Sequence, residues 1–531
     1  MCKFNLLVDD LFVVKCLDGE HKSISLPAVY ELLWRDEISS FDGLRPHQWQ
    51  SWHCFLVQCG ALALLRRDSD LIPESEEGWR EVLRGLTSDF PNDEPWCLYV
   101  EDAEKPAFMQ VPVPDGCMPA YKSVVSTPDD LDMLVTAKNH DVKQHCAQRP
   151  TVDHWIYSLV SLQTMEGFLG SGNYGASRMN GGFSNRCFMG LAPAGGVGAH
   201  LIRDIKVLLA NYDDVANSYK PTYGGGNCGA GLVWLLPWDG TGPLPTQSLH
   251  PYYIDVCRRV RVIGNNADAL LVKTAGSKKE RIDAKALNGN TGDPWAPLVH
   301  EKDGFKSITI TSAGFDYRMV CRLLFGWESG YQASLMSEPY QAEKDTQIVF
   351  CALVRGQGKT EGLRQRRIPM TLAVARVMGR KSESTLGKTA AGRVKTVSDI
   401  QKHLRRCIAL QSAGAPGLDD GKLDFNAAGD GDRERAQVFS EAYDQYIDSI
   451  FFDELWKVVG LSGKEFDEIE QQWKQKITRK AEIFLDQSAG CMPRRGYLHR
   501  GTRAKVKNFF LAFARKNAWL IEPANRVEEV K

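Results

Sequence analysis

Several stretches of this 531-residue chain carry residue types that could do chemistry. Gly356-Gln-Gly-Lys-Thr360 follows an apolar run from Ile348 to Val354 and ends like a phosphate-cradling loop. That chemistry needs another glycine, separated by four residues from the Gly-Lys pair, so that backbone N–H groups can wrap the phosphates. Leu353 stands there instead, and Glu361-Gly-Leu-Arg364 is a poor helix start, so no helix dipole would meet a phosphate. His140-Asp141 and Asp153-His154 have the residue types of a metal-dependent phosphohydrolase or nuclease. Such a centre draws further His and Asp ligands from several helices. Lys138, Lys143 and Arg149 crowd these residues, which favours a basic loop and leaves the hydrolase as the alternative. No Gly-x-Ser-x-Gly elbow is present, so no nucleophile is marked by that strand-to-helix turn.

Two stretches suit recognition better than catalysis. Gly170-Ser-Gly-Asn-Tyr-Gly-Ala-Ser-Arg-Met-Asn-Gly-Gly182 has the glycine spacing of a dinucleotide fingerprint at 170, 172 and 175. No apolar helix follows Gly175, as that motif requires. Without Cβ atoms such a loop brings backbone close to another polymer and reaches φ > 0. Further on, Gly330-Tyr-Gln-Ala-Ser-Leu335 is a short turn-like stretch that carries Gln332.

The elements that must position these residues are α+β in class. The length allows three or four domains with real cores. The expected division is a large mixed domain over 1–370 and a C-terminal four-helix bundle over 371–531. Phe4 to Val14 carries a strand or hairpin signal. Pro46 opens a helical pattern through Trp49, Trp52, Leu56, Cys59 and Ala63. Residues 86–130 read as irregular loops around Pro106 to Gln110, and 170–370 as strands and turns. In the bundle, Val397–Leu410 is amphipathic, and a second helix runs from Asp432 to Val459 with a break. Ser462-Gly-Lys-Glu465 forms a capping box ahead of Phe466, Ile469, Trp473, Ile477 and Phe484. A fourth helix spans Arg503 to Asn517. The stretch 414–432 between helices is rich in Gly and Asp and reads as a mobile loop.

Net charge is -1, but the charges are segregated. Residues 68–104 hold twelve acids against two bases; 361–406 hold twelve bases against three acids; 474–516 hold twelve against two. Phosphates are neutralised locally, so two basic segments in a neutral chain point to a polyanion partner. No apolar run reaches the roughly 18 residues of a membrane span, and the start lacks a signal-peptide pattern. The chain therefore reads as cytoplasmic. Its 14 cysteines are scattered singly with no C-x-x-C, which suits buried small hydrophobes rather than disulfides.

Taken in order, these motifs resemble the CasA family, the large subunit of the type I-E CRISPR Cascade surveillance complex. The matching residues are Phe4-Asn-Leu-Leu-Val8, Phe108-Met-Gln110, Gly170 to Gly182, His250-Pro-Tyr-Tyr-Ile-Asp255, Asn288-Gly with Pro294 and Pro297, and Gly330-Tyr-Gln-Ala-Ser334. The resemblance implies a non-catalytic subunit, without cofactor, that reads the protospacer-adjacent motif in duplex DNA. It uses a glycine loop (Gly170, Ser171, Gly172, Asn173), a lysine finger (Lys278, Lys279 or Lys285) and a glutamine wedge (Gln332, flanked by Tyr331 and Ala333). Tyr331 replaces the family asparagine. The loop Thr136–Arg149, with Lys138, Asn139, Lys143 and Gln144, matches one that contacts guide RNA and neighbouring subunits. Arg494, Arg495, Arg500 and Arg503 on the bundle would hold displaced DNA. The implied partners are the other Cascade subunits, crRNA, target DNA with its displaced strand, and the helicase–nuclease, with no membrane. Some relatives carry paired C-x-x-C motifs suited to zinc; this chain lacks them, so no metal is expected.

Overall fold

The computed structural model describes residues 1–520 except 68–70, 133–148, 182–183, 225–228, 265, 339–344, 357–358, 379–384, 415–422, 425 and 492–495. The chain forms two compact units, Met1–Phe315 with Gly326–Gly379, and Asp316–Phe325 with Arg380–Lys531. These units do not follow a single cut at residue 370. The helix Leu372–Met378 falls in the first unit, and the helix Tyr317–Phe325 in the second. Among the described residues no helix is long and apolar enough to cross a membrane.

The first unit wraps small sheets around two buried helices, Trp49–Leu65 and Val152–Met165. Every residue of the first from Gln50 to Leu64 is buried, so it is a core helix with no solvent face. Its polar side chains find partners: Gln58 Nε2 donates to the Tyr252 and Tyr253 carbonyls, and Ser51 Oγ meets Ser161 Oγ at 2.7 Å. The helix begins at Trp49, after a turn that contains Pro46, so the proline precedes the helix and does not open it. The N-terminal strands, Cys2–Asn5 and Phe12–Cys16, do not form a hairpin. The first pairs with Cys97–Val100 and the second with His21–Ile24 and Ile38–Phe41. A turn over residues 6–8 separates them, and Phe4 within the first strand lies at φ 58.

Thr346–Gly356 and Lys359–Met370 form a long antiparallel hairpin flanked by Phe188–Pro193. The phosphate-loop look-alike is therefore the turn end of this hairpin, and a strand follows it where a helix would be needed. Helices interrupt the region expected to be strands and turns, among them Val197–Ala210, Tyr212–Ser218 and Tyr317–Phe325.

The second unit gathers Thr385–Ala413, Asp430–Trp456, Gly463–Gly490 and Gly496–Lys516. The second of these runs unbroken, without the expected interruption. Ser462 takes the N-cap position of the third, but its hydroxyl makes no capping bond. Gly463 there lies at φ 55, which removes the geometry of a capping box. Residues 415–422 of the inter-helix stretch lie outside the described residues. Tyr317–Phe325 docks as a fifth helix. Tyr317 packs tilted against Phe451 at 4.8 Å between ring centres, and Arg318 bonds both oxygens of Asp444 at 2.6 and 2.7 Å.

Candidate nucleic-acid interface

The glycine loop is a tight antiparallel bridge between Gly170 and Asn173, closed by Asn173 N to Gly170 O at 3.0 Å. Gly170 and Gly172 lie at φ 118 and 87, a region that costs other residues strain. Ser171 between them and Asn173 after them are exposed. Gly175 is required for a different reason. A Cβ there would stand 2.9 Å from Gly167 C and Cα and 3.0 Å from Glu166 O, all backbone.

The loop leans on the turn that carries the candidate finger lysines. Ser277 N donates to Gly172 O at 3.0 Å, Tyr174 OH donates to Lys278 O at 3.0 Å, and Lys278 N donates to Gly240 O at 2.7 Å. Lys278 and Lys279 are thereby fixed beside the loop with exposed side chains. Lys285, also exposed, sits on a short helical turn and lines a cleft of about 390 Å³ with Phe168, Tyr174, Gly175 and Met179.

Beneath the loop lies a buried polar floor that the sequence reading did not anticipate. Glu166 pairs with Arg355 at 2.5 Å, both almost wholly buried, and Arg258 donates to Gly167 O at 2.7 Å. Burial pushes the Glu166 carboxyl above its ordinary value, with Arg355 and Arg258 opposing. Ser177 donates from backbone and hydroxyl to Asp255 Oδ2, each at 2.6 Å. Arg178, inside the glycine-rich run, is buried, stacks over Tyr253 at 3.9 Å, and donates to the Pro251 and Tyr253 carbonyls. His250 to Asp255 is thus the seat of the glycine-rich segment. Phe108 to Gln110 is a second support, where Gln110 bonds Leu98 O, Phe108 O and Val262 N. Arginines within apolar strands, such as Arg355 after Val354, were the available signal, since a buried guanidinium requires a partner.

Asn288-Gly289 joins this segment to the stretch that carries the candidate wedge, Gln332. Gly289 at φ 76 packs so tightly that a Cβ would stand 2.7 Å from Met179 C and 2.8 Å from Asn180 N. Ser307 N donates to Asn288 O at 3.0 Å, and Asn180 Nδ2 to Ser307 O at 3.2 Å. Strand Gly304–Ser307 then pairs with Leu298–Glu301, which pairs with Tyr331–Gln332. Gln332, opposite Leu298, and Ala333 are exposed, whereas Tyr331 is half-buried. A Cβ on Gly326 would lie 3.1 to 3.3 Å from the Tyr331 side chain. Tyr331 is therefore an anchor against the preceding turn, and Gln332 is the side chain presented outward. Arg186 bonds Asp293 at 2.5 and 3.0 Å below, in a fully buried pair.

On the bundle, Lys476, Arg479 and Lys480 line a groove of about 370 Å³ with Tyr446, Gln472 and Gln475. Lys480 lies 4.6 Å from the Tyr446 ring centre, and Lys476 is paired with Glu454 at 2.6 Å. Arg479 and Lys480 were not singled out from the sequence. Arg503 is half-exposed and 3.7 Å from Asp486, which also holds Lys507. Arg500 lies on Gly496–Lys516, while Arg494 and Arg495 fall outside the described residues. So do Lys138, Asn139, Lys143, Gln144, His140 and Asp141. Asp153 and His154 serve a helix start: Asp153 Oδ1 accepts from His154 N and Thr151 Oγ1, and His154 Nδ1 meets Thr151 Oγ1 at 2.7 Å.

This architecture is the fold of the CRISPR-associated proteins called Cse1 or CasA. The structure of Cse1 from Acidimicrobium ferrooxidans superposes with a TM-score of 0.64 at 14% identity, covering 97% of this chain and 99% of that one. CasA of Thermus thermophilus gives 0.60 at 14% identity, covering 97% and 100%. A chain of a CRISPR RNA-guided surveillance complex gives 0.59 at 14%, covering 98% and 100%. No protein-family model matches the sequence, and no curated protein does.

Proposed function

We propose that this chain is the large, non-catalytic subunit of a type I-E Cascade complex. In this reading it recognises the protospacer-adjacent motif in duplex DNA and begins strand separation. The observation that carries the reading is the backbone union of the glycine loop with the lysine turn, Ser277 N to Gly172 O, in a fold shared with Cse1. Exposed Ser171 and Asn173 beside Lys278 and Lys279 offer small polar groups and two cations to a narrow groove. That groove carries a degenerate code, which suits a tolerant reader. Gln332 enters the base stack below the motif, after which guide pairing reads the sequence. Lys278 and Lys279 are the finger candidates the geometry favours, because Lys285 faces the neighbouring cleft. The bundle's cations hold the displaced strand and take part in recruiting the helicase–nuclease, and residues 136–149 meet guide RNA and neighbouring subunits.

The test uses the chain assembled with the other subunits and crRNA. Gln332→Ala should weaken R-loop formation on duplex targets and leave binding to a target pre-melted beside the motif nearly normal. Unstacking a base step costs a few kcal/mol, which the bubble has already supplied. Equal losses on both substrates would reject the wedge.

A further inference from the structure

One buried cluster has no place in DNA reading. His53 comes from the core helix Trp49–Leu65, and His200 and Asp204 stand one turn apart on Val197–Ala210. All three are buried, and one donor atom from each lies within 4.8 Å of the other two. His53 Nε2 is 3.0 Å from Asp204 Oδ2, and His200 Nε2 is 3.6 Å from the same oxygen. We propose that His53, His200 and Asp204 bind one divalent first-row transition-metal ion through two imidazole nitrogens and a carboxylate oxygen.

The geometry fits. Ligands at the usual 2.0–2.2 Å around a tetrahedral ion stand roughly 3.4 Å apart, between the two distances observed. His200 Nε2 is a buried atom with no hydrogen-bond partner, which an ordinary core histidine avoids. The surroundings hold the ligands still. Trp49 stacks on both rings, at 5.2 Å from His53 and 5.8 Å from His200. Trp295 Nε1 donates to Asp204 Oδ2 at 3.2 Å, and Arg203 to Oδ1 at 2.8 Å, the outer support that orients ligating carboxylates. Arg203 also sets a limit. Its charge beside Asp204 lowers affinity for a cation, so binding is weaker than at a four-ligand structural site.

A cavity of about 270 Å³ reaches one member of the cluster: it is lined by His53 together with Trp49, Arg45 and Arg367. Two imidazoles and a carboxylate select zinc, cobalt or iron over magnesium or calcium, which take all-oxygen sites. The expectation of no metal rested on the missing C-x-x-C pairs. The His-x-x-x-Asp spacing at 200 and 204 was legible, but its third ligand is far away in sequence.

The experiment uses the full-length chain, stripped with chelator and titrated with Co²⁺, with Zn²⁺ as competitor. Visible ligand-field absorption should saturate at one equivalent, disappear on adding zinc, and be accompanied by a zinc-dependent rise in Tm. His200→Gln and Asp204→Asn, checked for fold by circular dichroism, should lose more than about 100-fold in affinity, beyond what outer-shell changes cost. No stoichiometric cobalt spectrum from the wild type would overturn the site. So would binding that survives both substitutions. If neither variant folds, the wild-type stoichiometry and spectrum decide alone.

Discussion

Glycines 170, 172 and 175 look alike in sequence, yet the structure gives them different work. Gly175 has an ordinary φ and no room for a Cβ, while Gly170 has open space and φ 118. Gly175→Ala should lower global stability by about 1–3 kcal/mol through overpacking against Gly167, read as a shift in denaturation midpoint. Gly172→Val should leave most of that stability and abolish motif-dependent binding. A β-branched residue at φ 87 distorts the loop and holds backbone off the groove. A stable Gly172→Val protein with unchanged motif preference would count against the loop's role. The sequence marked these glycines by composition alone, and it could not separate them because the atoms that crowd Gly175 are the backbone of residues 166 and 167. Asp293→Ala is the corresponding test of the buried floor. Arg186 would be left unpaired, at a cost of about 3–5 kcal/mol, and an effect below about 1 kcal/mol would show that water reaches the guanidinium.

At the scale of elements, periodicity found the bundle helices but not their ends, and it missed Val197–Ala210. Only one face of that helix is buried, and Gly and Pro residues close by make the stretch read as turns. The hairpin around Gly356 shows the converse, a catalytic-looking string whose strand–turn–strand context removes its chemistry. Inside the bundle, His403 stacks on Phe513 at 4.0 Å and lies near Phe509 and Phe510. Burial pushes its ring down to about 4, against about 6.5 in an unfolded chain. Above the unfolded value both states are neutral and nothing is lost. As pH falls from there toward 4 the unfolded state alone takes the proton, so stability declines, by about 2 kcal/mol at pH 5. His403→Leu should flatten the pH dependence of the denaturation midpoint between pH 7 and 5 by that amount. A slope equal to wild type would mean that the ring reaches solvent.

For the whole molecule, charge segregation points to a polyanion partner but does not tell which cations stand free to meet it. Several basic residues of 361–406 and 474–516 are consumed internally: Arg393 is buried against Glu470 and Trp473, and Lys507 holds Glu482 and Asp486. The mixed unit and the helical unit were legible, but the borrowed helix was not, since its hydrogen-bond partners on the bundle lie 83 to 131 residues away. Replacing Arg479, Lys480 and Arg503 by alanine in the assembled complex should weaken binding whatever the motif. The slope of log affinity against log salt should flatten by about 0.7 for each phosphate of the displaced single strand no longer neutralised. A variant with unchanged slope and lowered Tm would make these residues internal braces. The visit of Asp316–Phe325 to the helical unit has a further consequence. Because the chain enters that unit, leaves it and later returns, the unit is not a cassette. Grafting a relative's C-terminal helices after residue 379 would leave Tyr317 and Arg318 facing a stranger. Unless that graft also brings acids where Asp444 and Asp448 stand, the chimera carries an apolar helix with no seat. Recombination between proteins of this fold would therefore have to exchange two separated stretches of gene together, and inheritance of the helical unit should track residues 316–325.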